Sequence, residues 1–322
     1  MKLGHLISLR RYRRCRRLFR SPLRAQLQIA AARRRPLTLE LVQGGSLSVP
    51  DVRQCRGMFN WLLEGPTDPL PITVEKGLVA FNYQHLRIAL RPSSEDFYVL
   101  KEIFLDDVYG INTLKGPLGT VVDLGGNVGL FALRVAPIAA RVICVEPVAA
   151  NLQIASQNVR RSGAHHKVTL CKCAVTGESG KTARIFLSAG NTGGHSVRRE
   201  HAARWEAAGY EDVPSVSLAE LFEREGVQRC SLLKCDVEGS EFEIFRSAPP
   251  EILARIDRIA MEVHLTGADW NLEKLGALRE GLEAAGFRVT HEAVRDRRRR
   301  LKPAVMLFAS RPDRARVHRS AA

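Results

Sequence analysis

Val121-Val-Asp-Leu-Gly-Gly-Asn-Val-Gly-Leu-Phe-Ala-Leu133 reads as a buried strand, a glycine-rich bend at Asp123-Leu-Gly125-Gly126-Asn127-Val-Gly129, and a helix beginning near Leu130. Short apolar runs of this kind suit a strand covered on both faces. Glycine lets the backbone turn tightly and come close to a ligand. The strand-helix unit then recurs. Val142 to Val145 is a second strand, and Pro147 opens a helix that Gly163 stops. Val168 to Cys173 is a third strand. Ser217-Leu-Ala-Glu220 is a capping box, its hydroxyl and carboxylate satisfying free N–H groups reciprocally, and Gly226 closes that helix. Leu232 to Cys235 and Ile259 to Val263 are the fourth and fifth strands. Leu272, Leu275, Leu278 and Leu282 mark one helix face ended by Gly286, and Phe287 to Thr290 and Ala304 to Ala309 complete the pattern. The alternation predicts an α/β fold with a mostly parallel seven-stranded sheet and helices on both faces.

Upstream, residues 1–65 read as helical and irregular. Ile72-Thr-Val74, Leu78 to Phe81 and Leu86 to Leu90 form a small β unit bracketed by Pro66, Pro69, Pro71 and Pro92. Residues 94–113 read as one helix. The expected organisation is therefore a basic segment 1–35, a helical and small β subdomain 36–115, an α/β domain 116–310 and a basic tail 311–322.

The net charge of +15 is concentrated at the ends. Residues 1–35 carry +12 and residues 295–322 carry +8, which leaves −5 for residues 36–294. Basic ends of this kind attract anionic surfaces, an acidic partner or nucleic acid, or are simply a solvated charge run. The acidic body argues against nucleic acid as the main partner, because phosphate tracking needs basic charge beside the site. No stretch of about 18 residues lacks charge, so no membrane span is expected. Met1 to Arg20 lacks the apolar core of a secretory signal but is Arg-rich and acid-poor, as organelle transit peptides are. Seven cysteines without a C-x-x-C pair suggest neither disulfides nor structural zinc but a reducing compartment, and the expectation is cytoplasmic. Cys171 and Cys173 are expected to share a buried strand face.

Three clusters carry chemistry. Glu146 ends the second strand, 23 residues after Asp123, where a carboxylate can accept from both hydroxyls of an adenosine ribose. The nicotinamide fingerprint G-x-G-x-x-G read from Gly125 would need glycine at Asn127 and Leu130, and both are absent. D-x-G-x-G-x-G fits except at Asn127, a residue type that tolerates left-handed geometry. The candidate cofactor-binding residues are accordingly Asp123, Gly125, Gly126, Asn127, Gly129, Glu146 and Asp236. The second cluster, Asp236-Val-Glu238-Gly-Ser-Glu241, ends the fourth strand, where ligands of open α/β sheets bind. Asp236 and Glu238 are expected to face the ligands, and Glu241 to stabilise the helix dipole. The third, Glu262-Val-His264, puts an acid and an imidazole on one face at a strand end, a candidate proton-handling pair. The loop Asn191-Thr-Gly-Gly194-His195-Ser196 is either a lid over substrate or an ordinary connection.

Taken in order, VVDLGGNVGLFAL, VICVEPVAANLQIASQNV, CKCAVTG, SLAELF, LLKCDVEGSEFEIF and IAMEVH resemble the FkbM-type methyltransferase family over residues 116–265. The resemblance implies a Rossmann-like class I methyltransferase fold with S-adenosylmethionine as cofactor. It implies an acceptor hydroxyl on a sugar, lipid or secondary metabolite. It further implies that Asp123, Gly125, Asn127, Gly129 and Glu146 cradle the cofactor, and that Asp236, Glu238 and His264 lie near the methyl group. His264 is then the first candidate base, with Asp236 or Glu238 next. The expected site is metal-free, with a variant in which Asp236 and Glu238 hold magnesium. The alternatives are RNA methylation, and a non-catalytic cofactor-binding scaffold with a basic partner-binding tail.

Overall fold

The computed structural model describes residues 9–31, 35–65, 71–114, 116–189, 191–202, 207–265, 272–295 and 301–312. Most of the basic C-terminal tail, and residues 1–8 and 32–34 of the basic N-terminal segment, lie outside the described residues. The chain divides into two compact units, one of residues 1–101 with 160–162 and one of residues 102–159 with 163–322.

The first unit holds α1 (Leu9–Leu18), α2 (Pro22–Ala31), β1 (Leu37–Glu40), β2 (Ser46–Val49), α3 (Arg56–Glu64), β3 (Thr73–Glu75), β4 (Leu78–Tyr83), β5 (Leu86–Leu90) and α4 (Asp96–Lys101). Strands β3 to β5 form the antiparallel unit that the sequence predicts. Lys76 and Gly77, both at positive φ, make the two-residue turn between β3 and β4. The hairpin of β1 and β2 falls where only helix and irregular chain were expected. Its signal is the alternation of buried Leu37 and Leu39 with exposed Thr38 and Glu40. Part of the basic run is structural. Arg10 and Arg14 donate to the Gly65 carbonyl at 3.2 and 2.6 Å, and Arg11 pairs with Glu64. These cations sit at the end of α3, where carbonyls lack helical partners and the dipole is negative.

The second unit carries the large sheet. Its elements are β6 (Leu118–Leu124), α5 (Leu130–Val135), β7 (Ala139–Val145), α6 (Ala149–Arg161), β8 (Val168–Cys171), β9 (Ala174–Val175), β10 (Lys181–Ser188), α7 (Arg199–Ala202), β11 (Ala207–Val216), α8 (Leu218–Arg224), β12 (Cys230–Cys235), α9 (Glu241–Ser247), α10 (Pro250–Ala254), β13 (Arg258–His264), α11 (Leu272–Ala284), β14 (Arg288–Arg295) and β15 (Leu301–Ser310). The sheet order is β14-β15-β13-β12-β6-β7-β8. Strands β8, β7, β6, β12 and β13 run parallel, and β15 is antiparallel to both of its neighbours. This is the Rossmann-like, mostly parallel seven-stranded arrangement. The chain builds outward from β6 to β8, then returns to β12 on the other side of β6. In open α/β sheets ligands bind beyond the carboxyl ends of the strands at which the order reverses, which here are β6 and β12. The central strands are buried apolar runs, with Val121, Val122, Val142, Ile143, Leu232 and Leu233 at 2% exposure or less.

Several local expectations change. Residues 94–113 are not one helix. After α4, residues 102–106 form a π-helical turn, Asp107 and Gly110 take positive φ, and Ile111–Thr113 is a 3-10 turn. Asp107 stops the helix by accepting from the Ile111 and Asn112 amides at 2.8 and 2.9 Å. The third strand ends at Cys171, and Ala174–Val175 joins a separate sheet with β10 and β11, so Cys171 and Cys173 do not share a strand. The capping box is half formed. Ser217 Oγ accepts from the Glu220 amide at 3.1 Å, but the Ser217 amide donates to Ser179 Oγ and Glu220 pairs with Arg224. Gly163, Gly226 and Gly286 stand at positive φ at the helix ends where the sequence places them. Among the described residues no helix is long and apolar enough to cross a membrane.

Candidate active site

The glycine bend and the strand end beside it are fitted to each other at backbone distance. Gly125 has φ +78°, and a Cβ there would lie 1.8 Å from the Asp236 carbonyl oxygen. A Cβ at Gly126 would lie 2.2 Å from Cys144 Sγ. Asn127 takes φ +48°, the left-handed geometry expected of it. Gly129, at φ +81°, leads into α5, with Ala155 of α6 packed against its open side.

Glu146 lies at the bend. Its Oε2 accepts from the Asn127 amide at 2.8 Å, and its Oε1 accepts from the Val148 amide at 3.0 Å and Asn151 Nδ2 at 3.3 Å. Burial pushes its carboxyl up, against the pull of those three bonds. Asn151 Nδ2 also donates to the Thr192 carbonyl at 3.2 Å, which brings the 191–196 loop to the same carboxylate. From that loop Ser196 Oγ donates to the Glu238 carbonyl, and the Arg198 side chain just beyond it donates to the Gly239 carbonyl at 3.0 Å. His195 Nδ1 accepts from the Ser188 amide, so this histidine holds the loop's own shape.

Asp123 is fully buried with Lys234 Nζ 3.2 Å from its Oδ1. Lys234 also donates to the Leu124 and Gly125 carbonyls at 3.2 and 2.7 Å, pinning the bend from below. Burial alone would lower the ammonium's pKa, but Asp123 and Asp236 outweigh it and keep Lys234 charged.

The third cluster centres on His264. Its Nε2 faces Glu238 Oε2 at 3.3 Å, and Asp236 Oδ1 and Glu262 Oε1 at 3.9 Å. Its Nδ1 lies 2.9 Å from Oε1 of the fully buried Glu241. Burial pushes the imidazole pKa down, but Glu238, Glu241 and Glu262 together raise it well above the usual histidine value. Tyr109, held neutral by burial and by Asp236, donates its hydroxyl to Asp236 Oδ2 at 2.9 Å. Asp236 Oδ1 and Asn127 Oδ1 are buried acceptors that make no hydrogen bond among the described residues. Asp236, Glu262 and His264 each offer an atom within 4.8 Å of the others, a spacing that a cation could bridge.

The structure thus gathers the sequence's candidates into two adjoining groups. Asp123, Gly125, Gly126, Asn127 and Gly129 form the bend that Glu146 meets, and Asp236, Glu238, Glu262 and His264 the acidic cluster beside it. Sequence reasoning missed Tyr109, Asn151 and Lys234, and it gave Glu241 only a helix-start role. Glu241 stands three residues after Glu238 in the same acidic motif, which is the signal it offered.

The methyltransferase FkbM domain model matches residues 123–289. The AMB antimetabolite synthetase AmbE of Pseudomonas aeruginosa is 28% identical over 244 residues, covering 63% of this chain but 11% of AmbE. Methyltransferase sdnD of Sordaria araneosa is 27% identical over 226 residues, covering 61% of this chain and 83% of sdnD. A solved SAM-dependent methyltransferase structure from Agrobacterium tumefaciens aligns at 10% identity over 74% of this chain and 72% of that one, with a TM-score of 0.43. With the family model spanning more than half of its residues, the chain belongs to the FkbM methyltransferase domain family.

Proposed function

We propose that this chain binds S-adenosylmethionine and methylates a hydroxyl oxygen on a small acceptor, a sugar, lipid or secondary metabolite. The observation that carries the reading is the 2.8 Å bond from the Asn127 amide to Glu146, made at the bend whose Gly125 abuts Asp236. The unpartnered acceptors Asn127 Oδ1 and Asp236 Oδ1 fit a ligand rich in hydroxyl and ammonium donors. Glu146 would take the ribose hydroxyls, and the bend would carry the rest of the nucleoside. When bound, the cofactor supplies a methyl group already activated by its sulfonium for in-line displacement.

The chain's own work is then alignment and proton handling. Holding the acceptor in line is worth roughly 7–11 kcal/mol. A positioned base adds about 10²–10⁴-fold. Glu238, Glu241 and Glu262 raise the His264 pKa well above the usual histidine value, which favours the charged imidazole and disfavours it as the base. We assign the role to Asp236. Tyr109 occupies its Oδ2 and leaves Oδ1 toward His264. His264, oriented by Glu241, then serves as a fixed positive charge beside the reacting oxygen.

A second reading is favoured by the donor set: a divalent cation bridging Asp236, Glu262 and His264 and holding the acceptor oxygen. There His264 would be a neutral ligand with its other nitrogen bonded to Glu241, a common way of orienting ligating histidines. RNA methylation and a non-catalytic scaffold remain the rival functions. Steep salt-dependent RNA binding would favour the first, and cofactor binding without turnover the second.

The test is calorimetric binding of S-adenosylhomocysteine to wild type and Glu146→Ala. Losing two hydrogen bonds to a charged acceptor, about 1.5–3 kcal/mol each, predicts a loss of at least 100-fold. A wild-type chain with no affinity would end the proposal.

A further inference from the structure

We propose that the helix pair α1–α2 is a docking surface for an anionic lipid bilayer. At 100° per residue, Leu9, Arg13 and Arg16 fall within an arc of about 60° on α1. All three are exposed, Leu9 to 78%, while Arg14, Cys15 and Leu18 on the other side are buried at 5%, 0% and 2%. Helix α2 repeats the arrangement. Leu23 and Leu27, one turn apart, are 53% and 50% exposed, Arg24 beside them is exposed, and Ala25 and Gln26 are buried. Residues 9–31 contain eight arginines and no acidic residue, so the segment itself brings no carboxylate to the face.

The arginines that hold the fold are separate from those that would meet the partner. Arg10, Arg11 and Arg14 are turned to the end of α3, and Arg13, Arg16 and Arg24 point to solvent. The interleaved leucines select the partner. An arginine face alone suits any polyanion. Leucines on the same face gain only where an apolar phase lies just beneath the charged layer, as at the headgroup boundary of a bilayer. RNA recognition would call for exposed aromatic platforms. The aromatics here are Phe19, buried at 1%, and Tyr12, half-buried. Two weak signals, basic charge and shallow apolar insertion, give reversible attachment to the anionic surface.

The experiment is co-sedimentation of the full chain with vesicles of phosphatidylcholine alone or with about 30% phosphatidylserine, whose negative surface potential is what the arginines read. Binding should require phosphatidylserine and fall steeply at about 0.5 M salt, where the screening length is only a few ångströms. Arg13→Glu/Arg16→Glu should weaken it at least 10-fold. Leu23→Ser/Leu27→Ser, which changes exposed side chains only, should weaken it severalfold with the circular dichroism spectrum unchanged. Equal binding to neutral vesicles would overturn the proposal, as would unchanged binding by both variants. Arginine-dependent capture of RNA that ignores the leucine variant would overturn it in favour of a nucleic-acid surface. The readout requires no methyl transfer, so it stands or falls separately from the proposed activity.

Discussion

Replacing Gly125 with alanine tests whether the bend and the end of β12 form one fitted unit. The new Cβ would start 1.8 Å from the Asp236 carbonyl oxygen, and ordinary contact begins at 3.4 Å, so about 1.6 Å of separation is needed. Neither partner is a flexible side chain. The carbonyl belongs to the residue leaving β12, whose amide donates to the Leu124 carbonyl at 3.1 Å. The left-handed backbone at φ +78° adds ~1–2 kcal/mol for any residue with a Cβ. Forced overpacking adds ~1–3 kcal/mol. The total of ~2–5 kcal/mol corresponds to a fall in Tm of about 4–20 °C for a unit of this size. The functional cost should be of similar size, because a displacement near 1 Å in a catalytic arrangement can cost about 100-fold, or about 2.7 kcal/mol. The assays are thermal unfolding by circular dichroism and calorimetric titration with S-adenosylhomocysteine. A variant with wild-type Tm and wild-type affinity would refute the reasoning.

Lys234→Met leaves Asp123 buried beside an apolar chain, so urea unfolding should show a loss of ~3–5 kcal/mol, and adding Asp123→Asn should recover part of it. No recovery would mean that Lys234 acts mainly through the Leu124 and Gly125 carbonyls. Burial, with Glu225 behind it, raises the half-buried Cys171 thiol to about 12, and burial raises Cys230 to about 12. The unfolded chain releases these protons near pH 8.5. The stabilisation is therefore complete below about pH 8.5 and is lost as pH climbs toward 12, so the urea midpoint should fall between pH 8 and 10.5. Native iodoacetamide labelling of Cys171 at pH 8 should lag well behind that of the unfolded chain. If a cation bridges Asp236, Glu262 and His264, excess chelator should abolish turnover while cofactor affinity stays within about twofold. Turnover that survives exhaustive chelation removes the cation.

The central strands were legible because they are uninterrupted apolar runs, and Gly163, Gly226 and Gly286 marked their helix ends because positive φ is nearly a glycine privilege. Asn127 was readable for the same reason. The β1–β2 hairpin also had its signal, alternate leucines around Gly44-Gly45, but an arginine-rich neighbourhood hid it. Residues 94–113 failed for a different cause. Their apolar spacing is helical, and the break comes from the Asp107 side chain capturing two amides ahead of it. Tyr109 and Lys234 were invisible as site residues. Tyr109 meets Asp236 across 127 positions of chain, and Lys234 lay inside the fourth strand with nothing in the sequence to pair it with Asp123. His264 stood out by its place at the end of the fifth strand, but the carboxylates that crowd its ring from other elements could not be read beside it. Glu262 was visible beside it, whereas Glu241 reaches it from α9.

Asn151 serves two masters with a single amide. The same nitrogen steadies Glu146 and tethers Thr192 in the loop that also grips the Glu238-Gly239 backbone. A ligand that took hold of Glu146 would therefore alter the tether, and a molecule held under the loop would alter how firmly the carboxylate is held. Because such an influence must run equally in both directions, whatever enters first sets the welcome for whatever comes second.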